Sequence, residues 1–123
     1  MPIYSAQQKG CNSFLAGFKH QTTVASADGA IAAKSGMVYI TKASAAALTL
    51  ADPTSGADDG KELLIIATTA YAHTVSNAAG SGFNGGGAAT DVGTYTAAVA
   101  NYLRVTAYAG KWWVTGNVNV TLG

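Results

Sequence analysis

Asp58-Asp59-Gly60-Lys61-Glu62-Leu63-Leu64-Ile65-Ile66-Ala67-Thr68-Thr69 is the stretch that decides the fold. An acidic turn with a glycine opens into the longest apolar run of the chain. The run is short and rich in Leu and Ile, with Asp-Gly before it and Thr-Thr after it. Those limits favour a central β-strand buried on both faces over a helix.

Working outward, the rest of the chain from Ala30 repeats this rhythm on a smaller scale. Ala30-Ile31-Ala32-Ala33-Lys34 and Met37-Val38-Tyr39-Ile40-Thr41-Lys42 flank Ser35-Gly36 and read as a hairpin. Ala46 through Leu50 is assigned to a strand, because five Ala-rich residues are too few to nucleate a helix and Leu48-Thr49-Leu50 restores alternation. Asp52-Pro53-Thr54-Ser55-Gly56 is a turn. His73 to Ser76 and Thr90 to Thr96 are extended, and the glycine-rich loop from Asn77 to Gly87 between them holds a single aromatic, Phe83. Tyr102 to Tyr108 alternates Tyr, Arg, Thr and Tyr against Leu, Val and Ala, a strand with one buried and one wetter face. Turns at Ala109-Gly110 and Gly116-Asn117 then set off Lys111 to Thr115 and Val118 to Leu122 as the rest of a three-stranded meander. Strands at this spacing predict an all-β fold: a single antiparallel β-sandwich or barrel domain, residues 30–123, behind an irregular N-terminal arm or edge, residues 1–29.

The chain has 123 residues, the length of one domain with one core. Charged residues make up 11%, less than half of the usual share of about 25%. So little charge implies that part of the surface is covered by partners, which predicts an oligomer. A net charge of +1 provides no field that would attract nucleic acid or an anionic bilayer. No segment approaches the ~18 apolar residues of a membrane span. Cys11 has no internal disulfide partner, and Met1-Pro2-Ile3-Tyr4-Ser5 lacks the features of a secretory signal. Folding in the cytoplasm is therefore expected.

The candidate chemical motifs read as structural. Gly80-Ser81-Gly82-Phe83-Asn84-Gly85 matches the dinucleotide fingerprint, but it leads into a strand and not into a helix facing a pyrophosphate. His20, His73 and Cys11 have no third group to orient a nucleophile and base, and a His within a β-segment is commonly a hydrogen-bonded structural residue. Asp58-Asp59 lacks the Asx-rich loop with glutamate that calcium prefers and reads as a solvated turn. No catalytic residue, cofactor or metal is expected.

Trp112 and Trp113 point to opposite faces of one strand, so at most one belongs to the core. The other is an anchor for a subunit interface together with Tyr102 and Tyr108, residue types that concentrate in interfaces, or else stacks a sugar ring. In the arm, Ile3, Tyr4, Phe14, Leu15 and Phe18 are five sizeable apolar groups that need a surface to dock on.

Ile40-Thr41-Lys42, Leu48-Thr49-Leu50-Ala51-Asp52-Pro53, Asp59-Gly60-Lys61-Glu62-Leu63, Ala72-His73-Thr74-Val75, Gly82-Phe83-Asn84-Gly85-Gly86, Ala107-Tyr108 and Gly110-Lys111-Trp112 together form a pattern. It resembles the small β-structured virion proteins of tailed bacteriophages, of the head-decoration and head-fibre type. The resemblance spans about two thirds of the chain and is a style of strand and turn. It implies a non-enzymatic structural protein, often trimeric, attached to the major capsid protein at the virion surface; the arm lies outside the resemblance, and its apolar residues are read as capsid contacts because they need a surface to dock on. The alternative is a tail-fibre or carbohydrate-binding module with an aromatic face.

Overall fold

The computed structural model describes residues 20–123. The readings made for Ile3, Tyr4, Cys11, Phe14, Leu15 and Phe18 lie outside the described residues. Ten strands follow in order: β1 (Thr22–Ala25), β2 (Gly29–Ala30), β3 (Gly36–Ile40), β4 (Ala47–Thr49), β5 (Glu62–Ala67), β6 (Thr74–Ser76), β7 (Val92–Tyr95), β8 (Tyr102–Tyr108), β9 (Lys111–Val118) and β10 (Val120–Leu122). They form two five-stranded sheets: sheet A in the order β1-β3-β5-β8-β9, sheet B in the order β10-β7-β6-β4-β2. The apolar stretch at residues 62–67 takes the central place in sheet A.

The all-β expectation holds; the antiparallel one does not. From β1 to β6 the chain alternates between the sheets at every strand, so β1, β3 and β5 pair in parallel, as do β2, β4 and β6. The first half is thus a wound coil of two parallel layers. From β7 onward all new pairings are antiparallel, and they close the far side of both sheets. The sheets are mixed and open, so the barrel alternative is also corrected.

Three local readings change with it. Residues 30–34 and 37–42 make no hairpin: β2 belongs to sheet B and β3 to sheet A. Gly36 serves a close approach instead. Its φ is +96°, and a Cβ there would run into the Gln21 carbonyl, which accepts the Met37 amide at 2.8 Å as β1 docks beside β3. Strand structure also begins at Thr22, inside the stretch read as an arm. At the other end, Gly116-Asn117 is not a turn. Strand β9 runs through it with a bulge opposite Arg104/Val105, and the chain reverses at Asn119, φ 55°, to place β10 in sheet B. The last three strands are therefore a hairpin plus a strand of the opposite sheet.

The core lies between the sheets. Sheet A contributes Val38, Ile40, Leu63, Ile65, Leu103, Val105 and Trp112; sheet B contributes Leu48, Val75, Tyr95 and Val120. Tyr95 spans the two layers, its hydroxyl donating to the Ile65 carbonyl at 2.6 Å, and burial pushes its phenol above the ordinary value. Phe83, from the glycine-rich loop, is fully buried. That loop closes on itself as two short 3-10 turns, with the Phe83 amide on the Thr90 carbonyl and the Gly87 amide on the Ser81 carbonyl. The apparent dinucleotide fingerprint is thus a core-closing loop.

Candidate docking face

Strand alternation sends Val38, Leu63, Ile65, Leu103 and Val105 inward, so the residues between them form the outer face of sheet A. In most sandwiches this face is polar. Here the cross-strand register builds an apolar row across all five strands: Val24 beside Tyr39, Tyr39 beside Ile66, Ile66 beside Tyr102, Tyr102 beside Val118. A second row carries Thr22, Met37, Leu64, Arg104 and Gly116 in the same register. Toward the β8–β9 turn the face carries Glu62, Thr106 and Trp113, and then Tyr108 and Lys111.

The row is exposed at its edges and half-buried at its centre. Val24 and Val118 keep 59% and 38% of their surface, while Tyr39, Ile66 and Tyr102 are intermediate. The centre is shielded by its own neighbours, whose Cβ atoms stand about 5 Å away across the strands. The reading of residues 62–67 as buried on both faces is thus corrected: Leu63, Ile65 and Ala67 are buried, Leu64 and Ile66 only partly.

The two tryptophans separate as the strand period requires. Trp112 is fully buried, its Nε1–H donating to the Ala51 carbonyl at 2.8 Å. Trp113 lies on the outer face of sheet A, its Nε1–H donating to the Tyr108 carbonyl at 3.1 Å. Tyr102, Tyr108 and Trp113 therefore share one face, and Trp112 belongs to the core. Arg104, also on this face, donates from a terminal guanidinium nitrogen to the Thr115 carbonyl at 2.9 Å and sets its Nε 3.8 Å from Glu62.

The outer face of sheet B has another chemistry. Ala47, Thr74, Thr94 and Thr121 form one of its rows, and Thr49, Ser76 and Val92 the other. Small and hydroxylated side chains dominate it. The molecule therefore presents one apolar and one polar broad face.

The residues considered for chemistry are engaged in holding corners. His73 is fully buried; its Nδ1 accepts the Ala46 amide at 3.0 Å, and its Nε2–H points at the Thr69 carbonyl at 3.1 Å. Those partners define the tautomer. Asp58 is not a solvated turn residue, since only 5% of it is exposed. Its carboxylate receives Lys61 at 2.8 Å, the Thr54 amide at 2.6 Å and Lys34 at 3.1 Å, and these contacts hold its carboxyl well below the usual range. Asp59 accepts the Gly56 and Ala109 amides, and Asp52 accepts the amide and hydroxyl of Ser81. Among the described residues no helix is long and apolar enough to cross a membrane.

Comparison with known protein families finds none whose pattern the chain matches, and comparison with curated proteins finds no match.

Sequence reasoning named Trp113, Tyr102 and Tyr108, which the register places on this face, and did not name Val24, Met37, Tyr39, Leu64, Ile66 and Val118, which share it. One signal for them was present. A central strand with Leu and Ile at both parities implies that its second face is also covered, and Leu64 and Ile66 are that second face.

Proposed function

We propose that the protein is a non-enzymatic structural component of a virion, a capsid decoration protein that acts as a homotrimer and clamps adjacent copies of a major capsid protein. One observation carries this reading. A broad apolar face on sheet A lies opposite a polar one on sheet B, in a chain with too little charge to solvate both. Such a face is suited to permanent contact with protein. The mechanism is repeated weak contact: each copy supplies a modest interface, and joining copies about a symmetry axis raises the effective concentration of every remaining contact. The phage attribution rests on the resemblance of residues 36 to 122 to small virion proteins, and it places the protein on the capsid exterior.

The test is co-sedimentation of purified protein with capsids lacking it. Binding that saturates at a fixed ratio to capsid subunits supports the role; protein left in the supernatant at all concentrations refutes it. A second reading, a tail-fibre or carbohydrate-binding module, is favoured by the exposed aromatics Tyr108 and Trp113 side by side at one end of the face. A glycan array separates the two, because decoration predicts no sugar bound.

A further inference from the structure

The outer face of sheet A carries an apolar row across all five strands. We propose that it is covered by the same face of further copies of this chain, so that the apolar row Val24, Tyr39, Ile66, Tyr102 and Val118 becomes the shared core of the oligomer. This inference rests on the assembly reading above and adds the surface that performs it.

Three features single out a like face as the partner. The first is asymmetry. Desolvating apolar groups on both sides of a contact requires an apolar surface on each, and the Thr- and Ser-rich face of sheet B does not offer one. Contact of sheet A with sheet B would also be head-to-tail and would run on as a filament, whereas like faces turned toward one axis close. The second is charge. Glu62 and Arg104 stand on this face as neighbours 3.8 Å apart and balance each other, and the remaining charge, Lys111 opposite Tyr108, lies at its rim, away from the apolar row. The third is area. Five strands at about 4.8 Å spacing, by about 20 Å along β8, give a footprint of about 500 Å² per copy. Three copies that turn this face to a common axis bury about 1,500 Å² in all, about 500 Å² at each pairwise contact and so a modest interface. Association of the free protein should therefore depend on concentration and strengthen on a shell that gathers copies.

The experiment is sedimentation equilibrium of the full chain across a concentration series, run beside three variants. Ile66→Lys with Tyr102→Lys puts two like charges at the centre of the row. Val118→Lys puts one on the edge strand, where exposure leaves folding unaffected. Thr94→Lys places the same charge on the outer face of sheet B. Expected are an oligomer for wild type and Thr94→Lys, and the mass of one chain for the two sheet A variants, with circular dichroism of Val118→Lys unchanged. The proposal is overturned if the sheet A variants assemble like wild type, or if Thr94→Lys dissociates as well. It is overturned too if wild type stays monomeric at every concentration. Capsid co-sedimentation of the same samples keeps the two claims apart. A monomer that still binds capsids refutes this interface and leaves the virion role; an oligomer formed through this face that binds no capsid does the reverse.

Discussion

Replacing Trp112 and Trp113 with Ala, one at a time, perturbs opposite faces of one strand. Trp112 is fully buried among both sheets. Its loss removes the transfer energy of an indole and leaves a cavity, together about 3–5 kcal/mol. The Ala51 carbonyl also loses its donor, but Ala51 is exposed and water replaces most of that bond. Against a total of about 5–15 kcal/mol for an ordinary domain, Trp112→Ala removes a large share of the stability. Trp113 borders solvent on a face that one copy leaves open, so its removal opens no cavity and costs about 1 kcal/mol, a typical value for a single substitution. Urea unfolding of dilute protein, followed by circular dichroism, measures both. With a slope of about 1.5 kcal/mol/M, the midpoint of Trp112→Ala should fall by about 2 M or more, and that of Trp113→Ala by less than about 1 M. Equal losses would refute the division into a core and an outer face on β9. A larger loss for Trp113 would mean that its face is buried within the single chain.

Other perturbations test the corners that hold the sheets in place. Lys61, the Thr54 amide and Lys34 lower the carboxyl pKa of Asp58, so its stabilising effect is complete above the ordinary value of 3.8 and is lost as pH falls below it. Asp58→Asn should flatten the acid limb of a stability–pH curve, and an unchanged limb would remove Asp58 from the account. His73→Ala strips the buried Ala46 amide of its acceptor and leaves a void, for an expected loss of about 2–4 kcal/mol in chemical denaturation. Ala109 holds φ 53° in the β8–β9 turn, a left-handed conformation that costs a residue other than Gly or Asn about 1 kcal/mol. Ala109→Asn should raise the melting temperature by a few degrees, read by calorimetry.

The legible parts of the fold were those carried by neighbours in sequence. The centrality of residues 62–67 followed from apolar density, and Tyr102–Tyr108 with its hairpin to β9 followed from alternation and a two-residue turn. The winding of β1 to β6 was not legible. Parallel partners such as Tyr39 and Ile66 are 27 positions apart, and the corner between them resembles any other loop. Ser35-Gly36 carries the letters of a hairpin turn, but the glycine is required there by the Gln21 carbonyl. Gly116-Asn117 misled in the same way, since a bulge and a turn favour similar residues. The apolar row escaped detection because its members, at positions 24, 39, 66, 102 and 118, come from five strands and meet only through long-range register. Trp113 stood out from its sequence because one residue beside another on a strand must face the other way.

Hydroxyl-radical footprinting of the protein, first dilute and then concentrated or bound to capsids, tests the central claim most directly. Met37, Tyr39, Tyr102 and Trp113 all lie on the outer face of sheet A and react readily with radicals when open to water. The account predicts that their oxidation falls together on assembly, while fully buried Trp112 stays unreactive in both states. Unchanged oxidation of those four residues in a sample that has assembled would contradict it.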